Sequence, residues 1–429
     1  MKIDNSPPRG TRDLLPDRVA ARDHVLGRIS EVYHRYGYHR IETPALEDIR
    51  RLRGGEGGEN EKLIFQVLKR GLGEDVEAGT RVGDLVDLGL RFDLTVPLVR
   101  FYANNHAALP TPFRAFQIAP VWRAERPQKG RYRQFYQCDI DLVGDASVLA
   151  EVELIEATTE ALDAVGITGT TVRLSDRRFL SALAAHAGLA ETEWSGFFIG
   201  LDKLDKIGWD GVRAELVEKR GLPATAVDEV RSVIEGLTGL AADQVADRLA
   251  DAVPNLADEV VSDLATTVGC LADLDSTRPI RWQFDPTLVR GMGYYTGQIF
   301  EISHPDSSSS VAGGGRYDRL VGRSLGRDVP ACGFSLGFER IVDLIPEVPA
   351  RSALAVLFEA DVPVSYALER ARAERARGRE TTVLRRSGKL PAQLNRLEAQ
   401  GFTGFVHLRA VSDDGTAEPE RPLGADGAS

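Results

Sequence analysis

The sequence predicts an α+β fold, in which an antiparallel sheet flanked by helices is followed by a small α/β domain. Residues 114–125 and 131–143 are two alternating, β-branched and aromatic runs that a Pro/Gly turn joins into a hairpin. Residues 176–277 have almost wholly helical spacing, and residues 352–410 alternate between strand and helix patterns. We therefore expect a core at 1–175 and 278–346, a helical insertion at 176–277, an α/β domain at 352–410, and a disordered polar tail at 411–429.

Composition places the chain among soluble globular proteins. Of its 429 residues, 43% are hydrophobic and 27% are charged. It has neither an apolar run long enough to span a membrane nor a basic-then-apolar N-terminus typical of secretion. The three widely spaced cysteines indicate neither a disulfide framework nor a zinc site, so we expect a cytoplasmic protein without bound structural metal. A net charge of −11 means that contact with nucleic acid requires a local basic patch.

The first elements are a helix, a strand and a loop. Residues 17–36 have amphipathic helical spacing that ends at Gly37. Residues 38–47 read as a strand, and Pro44 favours an edge position or a contact between subunits. The glycine-rich residues 54–60 lack the Lys-Ser/Thr ending of a phosphate loop, so we expect an ordinary flexible loop.

Residues 90–97 (LRFDLTVP) are predicted to form a strand that leads into an apolar helix. Their alternation puts Arg91, Asp93 and Thr95 on one side, and a buried strand needs partners for such a polar face. A ligand amine could be one partner. The alternative is that Arg91 and Asp93 are neighbours in a surface ion network.

The hairpin has the strongest chemical pattern in the chain. In its second strand, alternation places one set of side chains on a polar face, namely Arg133, Phe135, Gln137, Asp139 and Asp141, and another on a core face, namely Tyr136, Cys138 and Ile140. Arg123 and Arg133 are predicted to lie opposite each other, which is unfavourable unless an anion such as a phosphate chain binds between them. The alternative is a solvated hairpin whose charges alternate by chance.

Three later segments combine glycine with arginine or aromatic residues. They are residues 288–297 (LVRGMGYYTG), residues 312–318 (AGGGRYD) and residues 333–345 (GFSLGFERIVDLI). The last has helical spacing of apolar residues, with Arg340 expected on the exposed side. Taken singly, each could be only a turn or a solvated charge.

In this order, the segments resemble the motifs of class II aminoacyl-tRNA synthetases. Residues 123–144 (RAERPQKGRYRQFYQCDIDLVG) resemble the histidyl-tRNA synthetase form of motif 2, and 288–297 and 312–318 resemble its two histidine-specific signatures. Residues 333–345 resemble motif 3. The helix and strand at 17–47 resemble motif 1, which forms a homodimer interface in that family. The resemblance implies a class II synthetase-like antiparallel sheet flanked by helices.

The resemblance also implies an activity and its residues. The family activates histidine with ATP to form histidyl-adenylate and transfers the histidyl group to tRNA(His). We expect Mg²⁺ to bridge the polyphosphate, as in other ATP chemistry. The implied catalytic residues are Arg290 and Arg123, at the α-phosphate and the substrate carboxylate. The implied ATP contacts are Arg123, Glu125, Arg131, Arg133, Phe135 and Arg340. The implied histidine contacts are Asp93 and Thr95 for the α-ammonium, together with Gln137, Asp141, Tyr294, Tyr295 and Gly314.

Some features depart from the family pattern. The family often has an acid at the place of Gly293, and commonly a longer glutamate at the place of Asp141.

Residues 370–396 hold nine cations against two acids, which indicates an RNA contact or merely a solvated face. The α/β domain resembles the family's anticodon-binding domain weakly and is expected to be cut short.

Three functions therefore stay open. The first is a histidine–tRNA ligase. The second is a paralogue that activates histidine for another acceptor. The third is a noncatalytic regulatory subunit of an ATP phosphoribosyltransferase. The arginines at 123, 290 and 340 favour a catalyst, because binding paralogues tend to lose such ATP-handling residues.

Overall fold

The computed structural model describes residues 4–54, 60–72, 79–127, 131–274, 278–289, 294–345, 353–409 and 418–423. It divides the chain into two compact units, Met1–Pro346 and Glu347–Ser429. The strands of the first unit are β1 (His39–Arg40), β2 (Leu46–Asp48), β3 (Gln66–Leu68), β4 (Val86–Leu90), β5 (Phe113–Trp122), β6 (Gln134–Val143), β7 (Thr171–Asp176), β8 (Trp282–Phe284), β9 (Gln298–Ser303), β10 (Ala312–Arg316) and β11 (Ala331–Leu336). Its helices are α1 (Pro16–Arg35), α2 (Ile49–Arg53), α3 (Thr95–Asn105), α4 (Leu149–Ala164), α5 (Arg177–His186), α6 (Glu191–Leu201), α7 (Leu204–Ala214), α8 (Ala224–Gly236), α9 (Val245–Ala252), α10 (Asp258–Asp273), α11 (Asp318–Leu325) and α12 (Phe338–Leu344).

A large sheet forms the centre of the first unit. Among the described residues its strand order is β1-β5-β6-β11-β10-β9-β7-β8, and neighbours are antiparallel except at the β1–β5 and β7–β8 ends. Helices α1 and α4 pack together over one face of the sheet, where Cys138 and Ile140 of β6 are fully buried beside Ile29 and Tyr33 of α1. The predicted α+β class is confirmed.

Two strands differ from the sequence prediction. The predicted strand at 38–47 is divided, because β1 pairs with β5 at the edge of the large sheet whereas β2 joins a small sheet with β4 and β3. The predicted strand at 90–97 is wrong, since β4 ends at Leu90 and α3 begins at Thr95. The Asp93 carboxylate accepts a hydrogen bond from the Val96 backbone N–H at 3.1 Å, which stabilises the start of this helix.

Arg91 has a structural role in the turn between β4 and α3. Its guanidinium is buried and donates to the backbone carbonyls of Thr43, Pro44 and Pro120 at 2.6, 3.3 and 3.0 Å. It therefore joins three chain segments through their carbonyl groups, and the alternative of a surface ion network with Asp93 is wrong.

The second unit is a small α/β domain. Its elements are β12 (Ala353–Phe358), α13 (Val364–Ala376), β13 (Glu380–Arg385), α14 (Leu390–Ala399), β14 (Phe402–Leu408) and β15 (Arg421–Pro422). The first three strands are parallel, with β12 in the middle. β15 pairs antiparallel with β14 inside the segment for which disorder was expected, and Arg379 binds Glu420 at 2.6 Å beside it. The rest of that segment, 411–417 and 424–429, lies outside the described residues. Among the helices that are described, none is both long and apolar enough to cross a membrane.

A buried ion pair joins β10 to α4. The Arg316 guanidinium donates to both Glu151 oxygens, at 2.6 and 2.7 Å, and to the carbonyls of Asp145 and Ser147. The side chains of Arg316 and Glu151 are only 10% and 2% exposed. Removing one partner would leave a buried charge uncompensated, which costs far more than the loss of an exposed pair.

We expect Glu151→Gln to lower the unfolding free energy of the first unit by about 3 kcal/mol. The matched control Glu235→Gln, in the exposed i,i+4 pair with Arg231, should change it by less than about 0.5 kcal/mol. Urea unfolding followed by tryptophan fluorescence measures both, because all four tryptophans lie in this unit. Equal midpoints for the two variants would contradict the assigned role of the pair.

Candidate active site

A cavity of about 410 Å³ lies over the face of β5, β6 and β11 that is opposite α1 and α4. Strand pairing arranges its floor in rows, with Ala115, Asp141 and Gly333 in one row and Gln117, Asp139 and Ser335 in the next. Gln137 follows on β6, opposite Ala119. Because side chains alternate along a strand, the polar groups of β6 at 137, 139 and 141 all face the cavity.

Asp141 lies at one end of the floor. The Tyr317 hydroxyl donates to its Oδ1 at 2.5 Å. Burial, with a contribution from the charge of Asp93, raises the pKa of the Asp141 carboxyl to about 7, although the Tyr317 bond acts to lower it. A Cβ on Gly333 would come within 2.1 Å of the same oxygen. Glycine at 333 therefore makes the room that Asp141 occupies.

Asp93 lies in the β4–α3 turn, which forms one wall of the cavity, and Arg123, which follows β5, lies against this turn. Burial raises the pKa of Asp93 to about 6, against the lowering effects of the Val96 N–H and of Arg123. Arg123 donates to the Phe92 carbonyl at 3.0 Å, and its guanidinium carbon lies 5.0 Å from the centre of the Phe135 ring. A planar cation held in this way can bind a carboxylate or a phosphate.

Gln137, Asp139 and Ser335 form a hydrogen-bonded group in the middle of the floor. The Ser335 hydroxyl donates to Asp139 Oδ1 at 2.5 Å, and Gln137 Nε2 donates to Ser335 Oγ at 3.0 Å. Burial, followed by the charge of Asp141, raises the pKa of Asp139 well above its ordinary value. Alternation along β6 predicted Asp139 on this face without indicating a role, and neither Ser335 nor Tyr317 was predicted as a site residue.

The opposite side of the cavity is cationic. Arg131 pairs with Glu125 at 3.0 Å, and Arg340 donates to the Ser310 carbonyl at 2.5 Å. Arg340 is half-buried instead of lying on an exposed side as expected. The guanidinium groups of Arg123, Arg131 and Arg340 can together meet a polyphosphate.

An ionic anchor lies beneath this cationic side. Glu339 of α12 binds both Arg12 and the buried Arg22, the latter at 2.6 Å, and accepts the Tyr136 backbone N–H at 3.2 Å. The Arg12 guanidinium also lies 3.9 Å from the centre of the Tyr132 ring. The N-terminal segment thus holds the hairpin against α12.

Most of the residues singled out from the sequence line this one cavity. They are Asp93, Thr95, Arg123, Glu125, Arg131, Phe135, Gln137, Asp141, Tyr294, Tyr295 and Arg340. Tyr136 lines it too, although alternation assigned it to the core face.

Two of the expected site residues are placed differently, and a third is not described. Arg133 does not line the cavity, because it donates to the carbonyls of Glu125 and Arg9 at the back of the hairpin. Gly314 lies inside the sheet, where a Cβ would come within 2.0 Å of the Gly333 carbonyl oxygen, and its neighbour Gly313 lines the cavity instead. Arg290, like Gly293, lies outside the described residues.

Known proteins resemble this chain along most of its length. The histidyl-tRNA synthetase family profile matches residues 10–341. The histidine–tRNA ligase of Leifsonia xyli subsp. xyli is 50% identical over 416 residues, which cover 94% of this chain and 95% of the relative. The histidine–tRNA ligase of Aeropyrum pernix is 40% identical over 95% of this chain and 87% of its own.

Solved structures agree on the fold. The crystal structure of histidyl-tRNA synthetase from Nostoc sp. PCC 7120 superposes with a TM-score of 0.78 at 28% identity, covering 95% of this chain and 92% of that one. An ATP phosphoribosyltransferase regulatory subunit/histidyl-tRNA synthetase from Bacillus halodurans superposes with a TM-score of 0.79 over 96% and 100% of the chains, but at 22% identity this likeness concerns the fold alone. Profile, sequence identity and fold agree that the chain belongs to the histidyl-tRNA synthetase family.

Proposed function

We propose that this chain activates histidine with ATP to form histidyl-adenylate and then transfers the histidyl group to tRNA(His). The observation that carries the proposal is the division of one cavity into two chemical halves. Its floor presents the buried carboxyl groups of Asp139 and Asp141, and the adjoining wall presents that of Asp93, which together suit a ligand rich in N–H donors. Its other side presents guanidinium groups, which suit phosphates.

The floor accounts for the choice of histidine. Asp141 accepts from an imidazole N–H, and Tyr317 fixes the direction of its carboxyl group. Asp93 and Thr95 hold the α-ammonium at the start of α3, with Tyr294 and Tyr295 closing the cavity beside Tyr317. An apolar side chain of similar shape would leave Asp141 unpaired in a buried place, which costs about 1 to 3 kcal/mol.

The cationic side accounts for adenylation. The histidine carboxylate attacks the α-phosphorus of ATP. The bond between this phosphorus and the oxygen that bridges the α- and β-phosphates breaks, and pyrophosphate leaves with the electron pair of that bond. No protein nucleophile is needed, so positioned cations supply the stabilisation. Arg123 and Arg290 act at the α-phosphate and the carboxylate, while Arg131 and Arg340 act towards the β- and γ-phosphates. ATP would enter as its Mg²⁺ complex, and the ion would neutralise part of the phosphate charge beside these arginines.

The second step uses a terminal hydroxyl of tRNA(His), which attacks the activated carbonyl and releases AMP. The basic residues of 370–396 in the second unit provide contacts for the tRNA backbone. We also propose that α1 and β1 take part in a homodimer interface, as in the family to which the chain belongs.

The test has two stages. Histidine-dependent exchange of radiolabelled pyrophosphate into ATP establishes adenylation, and a noncatalytic regulatory subunit would show none. Charging of purified tRNA(His) then separates the ligase from a paralogue with another acceptor. Exchange without charging would overturn the proposed acceptor, and absence of exchange would overturn the whole proposal.

Arg290→Ala is expected to abolish pyrophosphate exchange while leaving histidine affinity within a few-fold of wild type. The reason is that Arg290 meets charge that develops on the phosphorus, whereas the histidine side chain is held by the floor. Exchange kinetics and calorimetric histidine binding measure the two effects separately. Wild-type turnover in this variant would remove Arg290 from its catalytic role.

Gly333→Ala is expected to raise the KM for histidine at least about tenfold, since the new methyl group must displace the Asp141 carboxylate. Gly269→Ala is the matched control, because a Cβ at this position of α10 has no neighbour within 4 Å. Steady-state exchange kinetics give the KM, and tryptophan fluorescence verifies folding. An unchanged KM in folded Gly333→Ala would show that Asp141 does not set histidine affinity.

The buried Asp141 should make stability depend on pH. Its pKa is about 7 in the folded chain against an ordinary 3.8, so between these values the folded state keeps a proton that the unfolded chain has lost. The unfolding free energy of wild type should therefore fall relative to Asp141→Asn as pH rises from 4 to 7, by at most about 1.4 kcal/mol per pH unit. Urea unfolding at several pH values measures this difference, and a constant difference would refute the assignment.

A further inference from the structure

One row of the β5–β6–β11 ladder is polar on all three strands, and two of its members, Asp139 and Ser335, line the cavity. Gln117, Asp139 and Ser335 lie side by side on β5, β6 and β11. The Gln117 amide is already engaged, because its Nε2 donates to the Leu94 carbonyl at 2.9 Å and its Oε1 accepts from Thr43 at 3.0 Å. The two hydrogen bonds found at the Asp139 carboxylate come instead from Ser335 and, at a longer 3.4 Å, from Gln137.

The hydrogens in this group determine which way the Gln137 amide faces. Ser335 has a single hydroxyl hydrogen, and opposite an ionised Asp139 it gives that hydrogen to the carboxylate at 2.5 Å, so towards Gln137 it can only accept. Gln137 must therefore turn its NH₂ group towards Ser335 and Asp139, as the 3.0 Å contact from Nε2 to Ser335 Oγ shows. Its carbonyl oxygen is left on the other side of the amide.

That carbonyl oxygen is buried and finds no hydrogen-bond partner among the residues that the structure describes. Gln137 is 9% exposed and lines the cavity. A buried acceptor without a donor is unfavourable, so the site is completed by a donor from the ligand. Around it stand the carboxyl groups of Asp93, Asp139 and Asp141 and the guanidinium of Arg123. Burial disfavours the ionised form of these carboxyl groups, so a cationic donor placed among them would stabilise their negative charge. The donor that suits this place best is therefore an ammonium group.

On the basis of the proposed function, we infer that Asp139 and Ser335 are positioning residues. They fix the Gln137 amide so that its carbonyl oxygen receives the α-ammonium of histidine. They thereby select an amine over a hydroxyl at that carbon. An ammonium group only donates hydrogen bonds, so a rotated amide would oppose it with N–H groups. A hydroxyl group donates and accepts, so it tolerates either orientation.

The experiment compares L-histidine with imidazolelactate, in which a hydroxyl replaces the amine. Binding of each to the full chain is measured by calorimetry without ATP. Ser335→Ala leaves the charge unchanged and should weaken histidine binding about tenfold but imidazolelactate binding less than about twofold. Ser335→Thr retains the hydroxyl and should restore the preference for histidine. Asp139→Asn should also reduce this preference, because an amide at 139 supports both orientations of Gln137.

A double-mutant cycle tests whether Ser335 acts through Gln137. In a Gln137→Ala background, Ser335→Ala should cause no further change in the ratio of the two affinities. Equal weakening of both ligands by Ser335→Ala, or a full effect that persists in the Gln137→Ala background, would overturn the inference. Wild-type pyrophosphate exchange is measured alongside. Its absence would refute the proposed function, whereas the affinity ratios alone decide the role of Ser335.

Discussion

The site depends on placing three carboxyl groups where water solvates them poorly. Desolvation is the main reason why the pKa values of Asp93, Asp139 and Asp141 are raised. Hydrogen bonds from neighbouring groups oppose this effect. Tyr317 and Ser335 each donate a hydroxyl hydrogen at 2.5 Å, and the Val96 N–H donates to Asp93. Glycine at 333 is required by the same arrangement, because any side chain there would occupy the space of a carboxylate oxygen.

The two halves of the cavity are held by different physical means. The floor is part of a continuous antiparallel ladder, so its geometry follows from backbone pairing. The cationic side rests on ion pairs between distant segments, above all that of Glu339 with Arg12 and Arg22. Rigid hydrogen-bonded geometry suits the recognition of one side chain, whereas a loop held by ion pairs suits a polyphosphate that enters and leaves.

Local patterns predicted some of this arrangement and missed the rest for physical reasons. The period of two along β6 correctly placed Gln137, Asp139 and Asp141 together, because alternation depends only on the strand itself. The same rule wrongly predicted a strand at Asp93 and Thr95. Only the four residues 91–94 separate β4 from α3, and so short a segment has no periodicity that distinguishes a strand from a turn before a helix. The role of Ser335 was not predicted, because it depends on the register of β11 with β6. That register brings Ser335 to Asp139, which is 196 positions away in the sequence.

That sequence separation has a consequence for how the protein is made. On a ribosome that adds about 5 to 20 residues per second, β6 emerges about 10 to 40 s before its partner β11. During this interval β5 and β6 can form their hairpin, while the outer edge of β6 has no final neighbour. The nascent chain therefore carries an open strand edge through the synthesis of α5–α10, and we expect it to need shielding by a chaperone at that stage.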